Sequence, residues 1–285
     1  KHSVYDQHGQ VAEEYSIRFT KSKTSKISEL LVQMRLQPVS YIRRLGDLAV
    51  PVEVMTAIKQ QMIKSKGIML TSGPVGSGKN TLLMAILLGY PKRVLIQTFE
   101  DPLEIPVPRQ YRNIIQNTID PLLGSKNQLK TIMRQAPNGI YLTEVRDEQT
   151  AEFLYYVAKS GHFALTTIHA NSAVGVVERL VSLGVSYQDI GADGATNLIM
   201  AQRLVKCLCD HCKVPLGELL RTNPASYREK AKLLDSIDLG EDEDWQMFVR
   251  HGKGCGECHW SGEQKGRRLV IEIIVLTDED RAYIR

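Results

Sequence analysis

The chain has 285 residues, and its 36 Lys and Arg against 32 Asp and Glu leave a net charge of only +4, too small to announce a nucleic-acid binder. With 43% apolar and 24% charged residues it has the composition of a folded globular protein, which excludes a disordered or collagen-like chain. Its longest apolar run, Leu82 to Leu88, falls far below the ~18 residues needed to span a bilayer.

In chain order, the first residues lack the charged start, apolar middle and small-residue cleavage site of a signal peptide, and Lys1 reads as a point within a longer intracellular chain. Residues 1–37 are polar, with two short apolar pieces around Ile17 and over Leu30 to Leu36, and are expected to be the end of a small α+β domain. Residues 1–66 hold 11 basic and 6 acidic groups, so the whole positive excess lies there. A linker is expected over 38–50, where Arg43, Arg44 and Gly46 stand between Pro38 and Pro51.

Residues 51–206 are expected to form one core domain, in which from Gly67 onward short apolar runs alternate with helical patterns. Ile68-Met69-Leu70 leads through a Gly-rich turn to an apolar helix from Thr81 to Leu88. Val94-Leu95-Ile96, Ile140-Tyr141-Leu142 and Phe163-Ala164-Leu165 are three more strands, ending at Glu100-Asp101-Pro102, Glu144 and His169. Ala151, Leu154, Tyr155 and Ala158 recur at helical spacing, and Gly161 supplies a stop. Strands alternating with helices predict an α/β layer with a largely parallel sheet, whose ligands sit at the carboxyl ends of the strands. A cysteine module follows over 207–262, with Ser226 to Asp244 as a solvated charged helix and loop, and 263–285 returns as a C-terminal segment of the α/β domain.

The strongest motif is Gly73-Pro74-Val75-Gly76-Ser77-Gly78-Lys79-Asn80, between a strand and a helix. Glycines at these positions let backbone N–H groups turn inward onto phosphate oxygens, the helix N-terminus adds positive charge, and Lys79 neutralises the terminal phosphates. The alternative is an ordinary strand-to-helix turn with a surface lysine. After the lysine this motif normally has Ser or Thr, whose hydroxyl binds Mg²⁺. Here Asn80 offers an amide oxygen of different reach, and Thr81 points about 100° away on the helix.

Four more groups carry chemistry. Glu144, at the carboxyl end of a buried strand, suits the carboxylate that orients an attacking water, or else pairs with Arg146. Glu100, Asp101 and Glu104 put three acids in five residues; they hold Mg²⁺ through waters or merely border a solvated turn. His169 is placed to contact a γ-phosphate or to be a satisfied core histidine, whereas His162, just after Gly161, also suits a helix C-terminus. Cys209-x-x-Cys212 and Cys255-x-x-Cys258, separated by 42 residues, have the spacing of a structural Zn²⁺ site of four thiolates, with Cys207 outside it and His211 and His259 as competing ligands.

Five blocks in this order resemble the secretion ATPases of type IV pilus assembly and type II secretion. They are the phosphate loop; Thr98 to Glu104 as an aspartate box; Thr143 to Asp147 as the end of a Walker B strand; Gly161-His162 with Thr166 to Asn171 as a histidine box; and Gln202 to Val205 followed by the cysteines. The resemblance implies a RecA-like core that binds ATP with Mg²⁺, working as a cytoplasmic homohexamer on an inner-membrane platform protein and touching the membrane only through partners. It also implies that Ile17-Arg18-Phe19 and Met34-Arg35-Leu36 end an N-terminal domain whose arginines reach the nucleotide phosphates. The cysteine module favours the assembly and secretion branches over the retraction branch. Asn80, Asn138 (where the family has Asp) and Thr143 (where it has Gly) depart from the pattern and support an alternative, a hydrolysis-impaired ATP-binding subunit. A conjugative-transfer secretion ATPase is a second alternative; a nucleic-acid translocase is opposed by the absence of basic loops interleaved with aromatics.

Overall fold

Short apolar runs bounded by glycine and polar turns become the strands of one parallel sheet. The structure, a computed structural model, describes residues 2–5, 11–23, 30–38, 43–101, 103–118, 128, 131–216, 218, 221, 232, 248–250 and 253–285, the first three segments by their strand pairing. In chain order the strands are β1 His2–Tyr5, β2 Val11–Lys23, β3 Leu30–Pro38, β4 Gly67–Ser72, β5 Ile96–Glu100, β6 Ile114–Thr118, β7 Gly139–Leu142, β8 Phe163–Ile168, β9 Thr196–Leu208, β10 Val214–Pro215, β11 Phe248–Val249 and β12 Glu263–Val275. The helices are α1 Val52–Met62, α2 Lys79–Leu88, α3 Glu148–Lys159, α4 Ala173–Ser182, α5 Tyr187–Ile190 and α6 Asp278–Ile284.

The seven-stranded sheet has the order β12-β9-β4-β8-β7-β5-β6. Its neighbours from β9 to β6 all pair in parallel. β4, β5, β7 and β8 are buried along their whole length, as parallel strands covered on both faces must be. Alternate residues supply the two faces. Ile68, Leu70, Ile140 and Leu142 join α3 and α4 in one core, through Ala151, Leu154, Val176 and Leu180. Met69, Tyr141 and Leu165 join α1 and α2 in the other, through Ile58, Leu83 and Ile86.

α2 is apolar all round and buried from Leu82 to Leu88, as a helix under full cover should be. Each fully buried leucine there contributes about 1.5–3 kcal/mol, which anchors the helix whose first turn carries Lys79. In α3, Ala151, Leu154, Tyr155 and Ala158 form the buried stripe that their spacing predicts. Its start is fixed by Asp147, whose carboxylate accepts from the Thr150 N–H at 2.9 Å.

The chain divides into two compact units, Lys1–Gln202 with Ile271–Arg285, and Arg203–Val270. In the first unit β1, β2 and β3 form a separate antiparallel sheet in which Arg18 and Arg35 are direct backbone partners. Of the segment expected as a small α+β domain, the described residues are thus all strand; the side chains of Arg18 and Arg35 lie outside what is described. The expected linker contains a 3-10 turn, Leu45–Asp47, whose Leu45 is buried in the core. The second unit holds the cysteines and the short β10-β11 pair. Apart from Lys232, the expected charged helix and loop of Ser226 to Asp244 lies outside the described residues, as does Pro102.

Candidate functional site: a phosphate loop, a carboxylate cluster and four thiols

β4 delivers the chain to the loop. Gly73 leaves it at φ +138°, and a Cβ there would meet the Gln202 carbonyl oxygen at 2.2 Å, so only glycine fits. Gly78 caps α2 from the left-handed region, φ +86°. The Gln202 Nε2 donates to the Ser77 carbonyl at 2.6 Å, tying β9 to the loop from the other side. The buried Lys79 ammonium donates to the carbonyls of Gly73 at 2.7 Å and Pro74 at 3.1 Å. Burial lowers its pKa, while the charges of Glu144 and Glu104 raise it. The Ser77 hydroxyl is buried with no hydrogen-bond partner among the described residues. Pro74, Val75 and Gly76 form the exposed tip, and Thr81 is half-buried in the first turn of α2.

The strand ends bring the acids to this loop. Asn80 Nδ2 donates to Glu104 Oε2 at 2.5 Å, joining the first turn of α2 to the segment after β5. Glu100 is buried; its Oε1 accepts from Thr98 Oγ1 at 2.7 Å and Gln116 Nε2 at 2.9 Å. Burial pushes its carboxyl up, against those hydrogen bonds. Asp101 is exposed, 3.8 Å from Arg146 Nη1. Glu144 sits just past β7 with its side chain only 16% exposed. It accepts from Arg146 Nε at 2.7 Å and lies 3.0 Å from His169 Nε2 across the end of β8. The carboxylate is thus paired with Arg146, and it stands at the carboxyl edge of the sheet beside His169.

Two residues stand elsewhere. His162 precedes β8, with Nδ1 3.0 Å from Ser160 Oγ, and is not brought to the phosphate loop. β8 is six residues long, so about 20 Å separates its ends. Asn138 precedes β7 and its Oδ1 accepts from the Leu95 N–H at 2.7 Å. The missing upstream acid is thus a feature of the amino edge of the sheet, and it removes no carboxylate from the loop. Thr143 is integrated, its hydroxyl donating to Phe99 O at 3.2 Å and its carbonyl accepting from Thr167 Oγ1 at 2.7 Å.

The sequence does not point to Gln116, it places Gln202 only in the block before the cysteines, and beyond its place in the Thr143 to Asp147 block it offers Arg146 only as a pairing partner for Glu144. Gln116 lies on β6, a strand buried only at Ile114, whose apolar run is just Ile114-Ile115. The contact of Gln202 with the phosphate loop appears only when β9 is laid beside β4, which brings Gln202 to Ser77.

In the second unit Cys209, Cys212, Cys255 and Cys258 bring their sulfurs within 4.8 Å of one another. The Sγ atoms lie 3.8 Å apart for Cys209 and Cys255, 3.9 Å for Cys212 and Cys258, and 3.7 Å for Cys255 and Cys258. A tetrahedron with Zn–S bonds of about 2.3 Å has S–S edges of about 3.8 Å, so the residues fit this metal. Cys258 Sγ accepts the N–H groups of Cys255 and Gly262, both at 3.2 Å, and these hold its thiol down at about 6. Burial and the surrounding thiols push Cys212 up to about 12. The cluster contains neither histidine nor Cys207.

No helix among the described residues is long and apolar enough to cross a membrane. A family model described as type II/IV secretion system protein matches residues 10–285. The type II secretion system protein E of Pseudomonas aeruginosa is 34% identical over 222 residues, covering 78% of this chain and 41% of its own. The type IV pilus assembly ATPase PilB of Thermus thermophilus is 33% identical over 263 residues, covering 90% of this chain and 27% of its own. The chain thus spans less than half the length of either relative. Among solved structures, the Legionella pneumophila ATPase DotB superposes with a TM-score of 0.60 at 18% identity, over 99% of this chain and 63% of that one. The pilus retraction motor PilT with bound ADP gives 0.51 at 20% identity, over 76% and 70%. These two carry the fold, a mixed α/β domain on a parallel sheet. The sequence relatives carry the lineage: the chain belongs to the type II/IV secretion system protein family.

Proposed function

We propose that this chain is the ATP-binding and hydrolysing core of a motor for type IV pilus assembly or type II secretion. The observation that carries the reading is the convergence of Lys79, Glu104, Glu144 and His169 at the carboxyl ends of β4, β5, β7 and β8. Phosphoryl transfer to water needs charge and position more than covalent help, and each of these groups supplies one of them. The loop N–H groups from Gly73 to Asn80 cradle the β- and γ-phosphates. Lys79 leaves the carbonyls of Gly73 and Pro74 for phosphate oxygens. Asn80, Glu100, Asp101 and Glu104 would hold Mg²⁺, which would neutralise charge on the phosphate oxygens. Glu144 orients the attacking water once its bonds to Arg146 and His169 rearrange, and His169 senses the γ-phosphate. Arg18 and Arg35 add charge to the transferring group, as neighbours on one antiparallel pair.

The four cysteines hold a structural Zn²⁺, since four thiolates leave no position open to water. The working assembly is a homohexamer on the cytoplasmic side, engaging an inner-membrane platform protein and contacting the membrane only indirectly. Steady-state Mg²⁺-ATPase activity tests the core of this. We expect Lys79→Ala to lower kcat/KM by about 10²–10³-fold, and Glu144→Gln to lower kcat by about 10²–10⁴-fold with ATP still bound. Parent activity no higher than that of both variants, at concentrations that favour the ring, would sink the proposal.

A second reading, a hydrolysis-impaired ATP-binding subunit, is favoured by one observation. Asn80 spends its amide N–H on Glu104, so the position that normally offers a hydroxyl to Mg²⁺ is engaged with a carboxylate instead.

A further inference from the structure

At the amino ends of β4, β7 and β8, on the sheet edge away from the phosphate loop, lies a cavity of about 790 Å³. That is the size of a small-molecule pocket. Lys59, Lys64, Arg93 and His162 line it, and no Asp or Glu does. None of the three long cations enters an ion pair among the described residues. In a chain with nearly balanced charge, cations gathered around one concavity without a carboxylate create a local anion trap.

Tyr90 supplies the second, independent observation. It lines the cavity, is 6% exposed, and its ring stacks on Phe163 with centroids 4.5 Å apart and planes within 1°. Its hydroxyl is buried with no hydrogen-bond partner among the described residues. Buried hydroxyls are ordinarily paired, and an unpaired one on a rigid ring asks for a ligand or a water. The backbone beside it is also unusual. Ala136, another wall residue, is held at φ +49°, the one non-glycine of the first unit found in the left-handed region among the described residues. Such strain collects where a wall is shaped for a ligand.

We propose that this cavity binds a phosphate-bearing organic anion, its charge met by Lys59, Lys64, Arg93 and His162 and its apolar part laid against the accessible apolar lining of Ile63, Pro91 and Val94. Arg93 offers the planar fork that phosphate oxygens match, and two ammonium groups add charge without demanding one geometry. His162, which the motif order assigns to the nucleotide, belongs to this second site. The assignment does not depend on ATP hydrolysis at the opposite edge.

The test titrates inorganic pyrophosphate into the full chain by NMR, with Lys79→Ala alongside to weaken the competing phosphate loop. The expected result is saturable perturbation of the Ser65, Gly161 and Phe163 amides, kept in Lys79→Ala and weakened about tenfold or more in Lys59→Gln/Arg93→Gln. Amide dispersion elsewhere in that double variant checks that it folds. Co-sedimentation with phosphatidylglycerol vesicles identifies the source: pelleting that the double variant loses, absent with phosphatidylcholine, assigns the phosphate to a lipid headgroup. The proposal is overturned if perturbation is confined to Gly76–Lys79, or if the double variant binds pyrophosphate and vesicles as well as the parent, including the case in which neither binds.

Discussion

The phosphate loop and the cysteine cluster both gather polar groups that fit an ion, and they differ in how those groups are engaged. The four sulfurs, all from the second unit, would by themselves fill the shell of a tetrahedral metal. At the loop the groups are present but provisionally engaged: Lys79 on its own backbone carbonyls, Glu144 on Arg146 and His169, Asn80 on Glu104. A closed shell adds folding free energy, whereas an open one keeps partners that a substrate can replace. The difference teaches that, under the proposed function, the hydrogen bonds seen at the loop are the ones a nucleotide would replace.

The largest effect should come from the closed site. Structural zinc in small modules is worth roughly 10–16 kcal/mol of apparent binding energy. Chelation, or Cys258→Ser, should therefore unfold residues 203–270, read as a change in the fluorescence of the exposed Trp260, while ATP binding at the loop persists. Loss of ATP binding together with the metal would break the comparison, because the two sites would then share one folding unit.

At the open site Arg146→Ala should lower kcat by about three- to tenfold with KM nearly unchanged if the guanidinium acts through the Glu144 carboxylate that it holds. An increase in KM instead would mean that the guanidinium binds nucleotide. Asn80→Thr should hydrolyse ATP at least as fast as the parent, by up to about tenfold, because it restores a hydroxyl next to Mg²⁺. A slower variant would show that the Asn80 bond to Glu104 is part of the working site.

The smallest effect concerns Glu100. Its folded-state pKa lies above the ordinary carboxylate value because of burial. Between the two values the folded chain binds more protons than the unfolded one, so this group costs stability as pH rises through that window, and the cost is complete above it. Glu100→Gln should raise the melting temperature by a few degrees at neutral pH, with the gain vanishing below the ordinary carboxylate range. A gain that persists in acid would point to packing in place of charge.

Much of the fold was legible because its signals are local. β4, β7 and β8 have continuous apolar runs, and α3 has a stripe at helical spacing with a carboxylate at its cap. β6 was hidden because it is buried only at Ile114 and ends in polar Gln116-Asn117-Thr118, and the N-terminal sheet because it lacks the apolar continuity that marks buried strands. β9 and β12 were hidden for another reason. Each runs thirteen residues from one unit into the other, so its character changes midway and no single period describes it.

Sequence by itself determined what backbone chemistry dictates within a few residues: glycines where only a left-handed or crowded turn is possible, a lysine at the first turn of a helix, and paired cysteines in knuckles. Tertiary structure alone decided which distant residues meet. The parallel sheet puts Glu144 against His169 and Gln202 against the phosphate loop, and it leaves His162 and Asn138 on the other edge. The physical reason is that a strand carries its two ends far apart. Residues adjacent in a motif are therefore separated by the length of β8, while residues from different strands become neighbours at one end of the sheet.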